Sequence, residues 1–379
     1  MGKTAYLKPS DSTSDMDFME YVVLGLMSGT SLDGLDICCV RFQHSEKGWN
    51  FSILDAETTP LPPDLQRGIQ AFDQLSESQL KDLSHEMGVF SGEAVNQFLS
   101  THNLPKVKLI GAHGHTVFHQ PDKSRTVQIG NGPEIRDLTG ITTICDFRVA
   151  DVALGGQGAP LVPIGDRLLF SDMPACLNLG GFANVSFEEE GQRIAYDLCP
   201  VNFVLNEWAN KLNVPYDEDG NISRSGEIIL PLLNELNDLS YYSETPPKSL
   251  GREWIEQNVN PVLEKYALDS TKETDSNNVA NIMATFTEHA AEIISGELAK
   301  IGGPVLVTGG GAYNQYLIEK IRTKSAVSLL IPQPQLIEYK EALIFAFLAV
   351  LKYREEINVL ASVTGAKKDH SSGVIWPAK

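Results

Sequence analysis

The sequence predicts an α/β protein built from two related lobes with a cleft between them. Strand-like and helix-like segments alternate along the whole chain, and glycine turns recur at the ends of the strand-like runs. A strand–turn–strand layout near the N-terminus returns, as a weak echo, around residue 180. The length of 379 residues suits two domains with a core of real size.

The elements follow in order. Residues 1–18 are rich in Ser, Asp and Lys and read as a mobile tail outside the fold. YVVLGLMSGTSLDGLDICCVRF is an apolar run, a Gly/Ser/Thr turn and a second β-rich run, which WNFSILDAET extends. Leu65, Ile69, Phe72, Leu80, Leu83 and Val89 are spread among polar positions and predict helix from Pro63 to Leu99. VKLIGAHGHTVFH reads as one strand carrying polar groups at its end, and TVQIG, the short helix PEIRDLTG and TTICDF continue the alternation. DFRVADVALGGQGAPLVPIGD, residues 146–166, is dense in Gly and Pro and reads as a long functional loop or hinge.

In the second half, ACLNLGGFANVSFEEEGQRIAYDL holds two β-like runs that repeat the first hairpin. A helix is expected from Val201 to Lys211. Another is expected from Asn278 to Lys300, with Ile282, Phe286, His289 or Ala290, Ile293 and Leu298 at helical spacing. PVLVT reads as a short buried strand, and EALIFAFLAVLKYREE, apolar on all sides at first, as a core helix.

A formal charge of -19 and a pI near 4.8 weigh against nucleic acid and anionic membrane surfaces as partners. No apolar run reaches the roughly 18 residues of a membrane helix, and no signal-like core opens the chain, so a cytoplasmic protein is expected. Five cysteines (Cys38, Cys39, Cys145, Cys176, Cys199) with no C-x-x-C pair read as buried small hydrophobes. No G-x-x-x-x-G-K-[ST] occurs, and neither protein-kinase signature is present.

The chemistry is expected at four glycine turns: Gly29-Thr30-Ser31 with Asp33-Gly34, Gly155-Gly156-Gln157-Gly158, Gly180-Gly181, and Gly309-Gly310-Gly311. One such turn is usually only a hairpin. Four in an acidic chain point to phosphate held by converging N–H groups. Asp197 ends a strand before a proline and a helix, where it projects into a cleft or serves as an acidic residue at a helix N-terminus. Asp146, Arg148 and Asp151 bind ligand or pin the long loop by ion pairs. His113 and His115 would share a strand face without a third metal ligand, which disfavours zinc.

Six blocks, in order, carry a resemblance: MSGTSLDGLD (27–36), GAHGHTVFH (111–119), DFRVADVALGGQGAPLVP (146–163), NLGGFANVSF (178–187), PPKSLGREW (246–254) and TGGGAYN (308–314). Together the sequence resembles the anhydro-N-acetylmuramic acid kinases, members of the sugar kinase and actin superfamily. The resemblance implies a two-lobed actin-like ATPase fold with RNase-H-like sheets. It implies lobes over residues 19–146 plus 361–379 and over 147–360, with ATP and sugar bound between them.

It further implies ATP- and Mg-dependent conversion of 1,6-anhydro-N-acetylmuramic acid and water to N-acetylmuramic acid 6-phosphate in cell-wall recycling, by a homodimer. Gly29, Thr30, Ser31, Leu32, Asp33, Gly34, Leu35 and Asp36 take the place of the first ATP phosphate loop, Gly180 and Gly181 that of the second, and Gly309, Gly310 and Gly311 that of the adenosine motif. His113, Arg148, Gly156, Gln157, Pro200, Asn202 and Glu341 match the sugar side, and Asp197 the catalytic base. No metal ligand is assigned.

The sequence departs from the family pattern near Asp197: Cys199-Pro200-Val201-Asn202 stands where Gly-Pro-Gly-Asn is usual, so that Cys and Val are expected to strain the turn or fill space beside the sugar. His115 replaces a usual Gln, Ala150 a second Arg, and the His usual shortly after GAPLVP is replaced near Asp166. Two other readings stand beside the kinase: a kinase of a different sugar such as levoglucosan, and a nucleotide-dependent sugar sensor without catalysis.

Overall fold

The computed structural model describes residues 19–29, 32, 34–120, 125–130, 132–268 and 276–379. The 1–18 tail, together with Thr30, Ser31 and Asp33 of the first phosphate loop, lies outside the described residues.

Two mixed sheets organise the chain. The first contains β1 (Met19–Met27), β2 (Leu35–Ser45), β3 (Gly48–Thr59), β4 (Leu109–Ala112), β7 (Thr142–Cys145) and β13 (Val374–Trp376), in the spatial order β13-β7-β4-β1-β2-β3. The second contains β8 (Ala175–Leu179), β9 (Phe182–Glu189), β10 (Gln192–Pro200), β11 (Val305–Thr308) and β12 (Leu329–Leu330), in the order β10-β9-β8-β11-β12. In each sheet a three-stranded antiparallel meander continues, through its first strand, into two parallel strands. The echo read from the glycine turns is therefore a repeat of topology, and the α/β fold of two lobes with RNase-H-like sheets is present.

The central strands read as unbroken apolar runs because both of their faces are covered. Along β1, Val23 faces one core, with Val40, Phe42 and the helix Pro334–Tyr353, while Val22, Leu24 and Leu26 face the other, with Val95 and Phe98 of the helix Glu77–Thr101. Neighbouring Cys38 and Cys39 likewise point into opposite cores, and all five cysteines are free and buried, as expected. The helix Glu77–Thr101 opens on a capping box, in which the Ser76 hydroxyl accepts from the Gln79 amide and the Gln79 side chain accepts from the Ser76 amide.

Three expectations are corrected. VKLIGAHGHTVFH is not one strand: β4 stops at Ala112, Gly114 turns with φ 74°, and β5 (His115–Gln120) pairs instead with β6 (Arg125–Ile129) in a separate ribbon. The 146–166 segment is not continuous loop, since Val149–Ala153 and Pro163–Leu169 are short helices. The helix Pro334–Tyr353, grouped by sequence with the second lobe, packs on the first sheet, against β1, β4 and β2.

The last correction has a steric reason. A Cβ on Gly25 of β1 would overlap the Ala342 carbonyl, and one on Gly111 of β4 would overlap that of Phe345, so the helix backbone lies directly on the sheet only because both strand residues are glycine. This approach sets Glu341, one residue before Ala342, beside the end of β1. The preceding Lys340 is buried and meets Asp166 at 2.7 Å. Asp166 also accepts from Ser186 of β9 at 2.6 Å, and Ser186 in turn accepts from buried Arg193 of β10 at 2.8 Å. The second turn of the core helix is thereby tied to the second sheet. Breaking one partner of such a buried pair typically costs about 3–5 kcal/mol.

Candidate active site

The Asp197 carboxyl is held by a fold-back from its own lobe. A bulge between Asp197 and Cys199 interrupts the β10–β9 register just before the helix Asn202–Asn210, and bulges of this kind re-aim side chains. The Leu250 N–H donates to Asp197 Oδ2 at 2.8 Å, while the Tyr241 hydroxyl donates to the Asp197 carbonyl at 2.7 Å. Burial pushes the carboxyl above the usual carboxylate range, and the Leu250 bond opposes that shift. Asp197 lies five residues before the helix begins and is half-buried in strand, so the alternative of a helix N-terminal charge is set aside.

The two departures beside it face the other way. Cys199 and Val201 are fully buried in the core of the second lobe with Val204, Leu205 and Trp208, and neither adopts a positive φ. The expected filling of the sugar space therefore does not arise: past the bulge, at the end of β10, both side chains pack into the core, and neither position has the positive φ that would call for glycine. Pro200, between them, is buried at the strand end opposite Phe182.

The second-lobe glycines gather around Asn202. Its amide nitrogen donates to the Gly180 carbonyl at 3.3 Å, and its side-chain Nδ2 to the Leu179 carbonyl at 3.2 Å. Gly309 has φ 82°, and a Cβ there would sit 2.6 Å from Asn178 Oδ1, so this turn excludes side chains on two counts. Gly310 and Gly311 continue past Asn202. Opposite, the described part of the first loop turns by a bond from the Leu32 amide to the Gly29 carbonyl at 3.2 Å, with Leu32 at φ 58°. Gly34 and Leu35 are buried, and Asp36 accepts from Thr58 at 2.6 Å. A cleft of about 760 Å³ brings Gly29 of the first lobe together with Gly181, Asn202, Phe203, Arg252 and Glu341.

A second group is built on β4 and the long segment after β7. Arg148 Nη1 donates to the Gly158 carbonyl at 2.7 Å, and its Nε and Nη2 reach His113 Nε2 at 3.1 and 2.8 Å. Buried Asp151 closes this segment by accepting from the Gly158 amide and the Thr364 hydroxyl, both at 2.7 Å. Gly156 packs against that carboxylate, whereas Gln157 is exposed and anchors through its amide to the Thr364 carbonyl at 2.8 Å. Of the two roles weighed for Asp151, pinning the loop is the one its bonds perform.

Burial pushes Arg148 down to about 10 against the opposing fields of Glu341 and Asp151. Desolvation by neighbouring protein also raises Glu341, against Arg148 and Lys340, although its side chain is exposed where it opens onto the cleft. His113 and His115 have different partners, Arg148 and Ser28, and the described residues contain no group of three or more His, Cys, Asp or Glu able to hold a metal. The residues missed by sequence reasoning are Leu250 and Arg252; both lie inside the PPKSLGREW block, which drew attention as a block without a role for either residue.

A family model described as anhydro-N-acetylmuramic acid kinase matches residues 21–378. Curated proteins named anhydro-N-acetylmuramic acid kinase are similar along nearly their full length. The one from Vibrio cholerae is 35% identical, covering 93% of this chain and 97% of its own. Those from Aliivibrio fischeri, at 35% over 94% and 99%, and Hydrogenovibrio crunogenus, at 32% over 93% and 97%, are comparable. Among solved structures, component A of the Acidaminococcus fermentans (R)-2-hydroxyglutaryl-CoA dehydratase aligns over 88% of this chain and 99% of its own at 14% identity, with a TM-score of 0.40, a likeness too slight to carry an argument. From the family match and the identities of these relatives, the chain belongs to the anhydro-N-acetylmuramic acid kinase family and is an enzyme of the kinase class.

Proposed function

We propose that the protein uses ATP to open and phosphorylate 1,6-anhydro-N-acetylmuramic acid, giving N-acetylmuramic acid 6-phosphate for cell-wall recycling in the cytoplasm, as a homodimer. The observation that carries this reading is the single cleft in which Gly29 of one lobe meets Gly181, Asn202 and Glu341. Glycine turns from both lobes suit a triphosphate, because their amides approach an anion without side chains in the way. Mg fits this donor set, since it is bound in kinase sites through substrate phosphates, waters and one or two carboxylates rather than a protein cage. When bound, it would offset charge on the transferred phosphoryl group.

In this reading Asp197 accepts a proton from the water that attacks the anomeric carbon, the bond from that carbon to O6 breaks, and O6 takes the γ-phosphoryl group, leaving ADP. A carboxyl raised by burial is a competent base near neutral pH, and the Leu250 N–H fixes its orientation. Arg148, with neutral His113, would line the sugar side together with Glu341. The motive for a different sugar came from Cys199 and Val201, and both face the core.

The test is ADP release with ATP and Mg on 1,6-anhydro-N-acetylmuramic acid, N-acetylmuramic acid and levoglucosan, with Asp197→Asn run in parallel. Fast release with the first sugar, lost in the variant, is expected. Faster release with levoglucosan, or none with any sugar, would overturn the reading.

A further inference from the structure

Arg252 differs from every other cation near the cleft. Arg148 donates to His113 and Gly158, Lys248 donates to the Tyr241 carbonyl at 3.0 Å, and Lys340 pairs with Asp166. Among the described residues, the exposed guanidinium of Arg252 has no hydrogen bond and no ion pair, even though Glu256 lies one helical turn on. Five N–H donors are thus left open. An unpaired arginine is notable in a cleft that also presents Glu207, Glu256 and Glu341, within a chain of net charge -19.

Its position is specific. The guanidinium carbon lies 4.2 Å from the centre of the Phe203 ring, and that ring packs so closely on Gly181 that a Cβ there would overlap it. Stacking of this kind holds the planar cation while leaving its in-plane N–H groups free for a bidentate acceptor. Arg252 also follows Leu250, the residue that grips Asp197, by two positions, which limits the backbone separation to about 7 Å. The stack places one open cation beside the glycine turn at 180–181, on the loop that also holds the candidate base.

We propose that Arg252 is the anion-binding residue of the cleft, taking an oxyanion of a bound ligand in the plane of its guanidinium: the nucleotide phosphate or the carboxylate of an acidic sugar. The proposal rests on the kinase reading above and deepens it, since a carboxylate here would set the preference for an acidic over a neutral anhydro-sugar.

Arg252→Gln and Arg252→Lys in the full chain test it by calorimetric titration with AMP-PNP plus Mg, with 1,6-anhydro-N-acetylmuramic acid and with its methyl ester. Loss of a charge-assisted contact weakens binding about ten- to a hundredfold. Arg252→Gln is expected to show that loss for one of the two anions, with partial recovery in Arg252→Lys and an unchanged melting temperature. If the sugar carboxylate is the partner, the preference of the unmodified protein for acid over ester disappears in Arg252→Gln. If the phosphate is the partner, both sugars bind as before and AMP-PNP weakens. Unchanged affinity for both anions overturns the proposal. Should the unmodified protein bind AMP-PNP and neither sugar, the substrate reading fails, and AMP-PNP alone decides Arg252: equal affinity in Arg252→Gln overturns its role.

Discussion

Two nitrogens of Arg148, Nε at 3.1 Å and Nη2 at 2.8 Å, converge on the single atom Nε2 of His113. Arginine has no acceptor, so Nε2 must carry the lone pair and the proton sits on Nδ1, which donates to the Gly114 carbonyl at 2.9 Å. Burial holds His113 well below the usual histidine range, and the Arg148 charge adds to that effect. One arginine thereby fixes the tautomer of a ring that packs, tilted, with its centre 4.5 Å from that of Phe345 of the core helix. Arg148→Lys cannot reproduce the fork and also loses its fit to the Gly158 carbonyl. A stability loss of about 1–3 kcal/mol is expected, with weaker sugar binding. Imidazole ¹⁵N shifts check the cause: the unmodified protein shows His113 neutral with Nδ1 protonated, and the variant loses that uniform state.

Asp197 must be ionised to accept a proton, and burial raises its pKa from 3.8. Protonation therefore removes the base at a pH above the ordinary carboxylate range, and kcat/KM should fall on the acid side with a midpoint above 3.8. Asp197→Asn should reduce kcat by about 10²–10⁴-fold and leave AMP-PNP affinity intact. An acid limb unchanged in Asp197→Asn would mean that another group is titrating.

Restoring the family glycines should not restore anything. Cys199 and Val201 fill the second core at zero exposure, and neither has the positive φ that would call for glycine. Val201→Gly leaves a cavity and adds backbone freedom to the unfolded chain, a loss of about 2–4 kcal/mol. Cys199→Gly acts in the same direction. Denaturant titration should show both losses, while turnover of the muramyl sugar changes little; a large gain in turnover would place these side chains in the sugar space after all.

His289 makes stability pH-dependent from inside the second lobe. It is fully buried, with Nδ1 2.6 Å from Asn237 Oδ1 and Nε2 3.0 Å from the Tyr242 hydroxyl, and burial pushes it from 6.5 down to about 3. The unfolded chain binds its proton below about 6.5, whereas the folded chain binds it only near 3. The unfolded state then carries more protons through that window, and stability falls as pH falls. The slope from this residue is at most about 1.4 kcal/mol per pH unit. Urea midpoints between pH 7 and 4 should drop more steeply in the unmodified protein than in His289→Gln.

Much of the site was legible because its chemistry is local in sequence. Glycine turns at 29, 180–181 and 309–311 follow strands directly, and a turn that must admit a phosphate or hold a positive φ excludes other residues. The apolar runs of β1, β8 and β11 likewise announce strands buried on both faces.

What was not legible depends on which distant atoms meet. Hydropathy marked residues 341–356 as a core helix, yet periodicity cannot say which sheet receives it; that depended on two glycines, Gly25 and Gly111, more than 200 residues away. Cys199 and Val201 differ from the family pattern at sensitive positions, but only the packing of the chain past the β10 bulge decides that both point inward. Leu250 and Arg252 came to Asp197 and Phe203 through a loop whose path no spacing encodes.

The α/β class, the echo between the two halves and the glycine turns could be read from the chain alone, because each arises from the period and the steric demands of a few neighbouring residues, whereas the candidate base came from the family resemblance. Only the tertiary structure decided the direction of each side chain and the partners of Arg148, Asp197 and Arg252, because burial and hydrogen bonding are set by contacts between elements far apart in the chain.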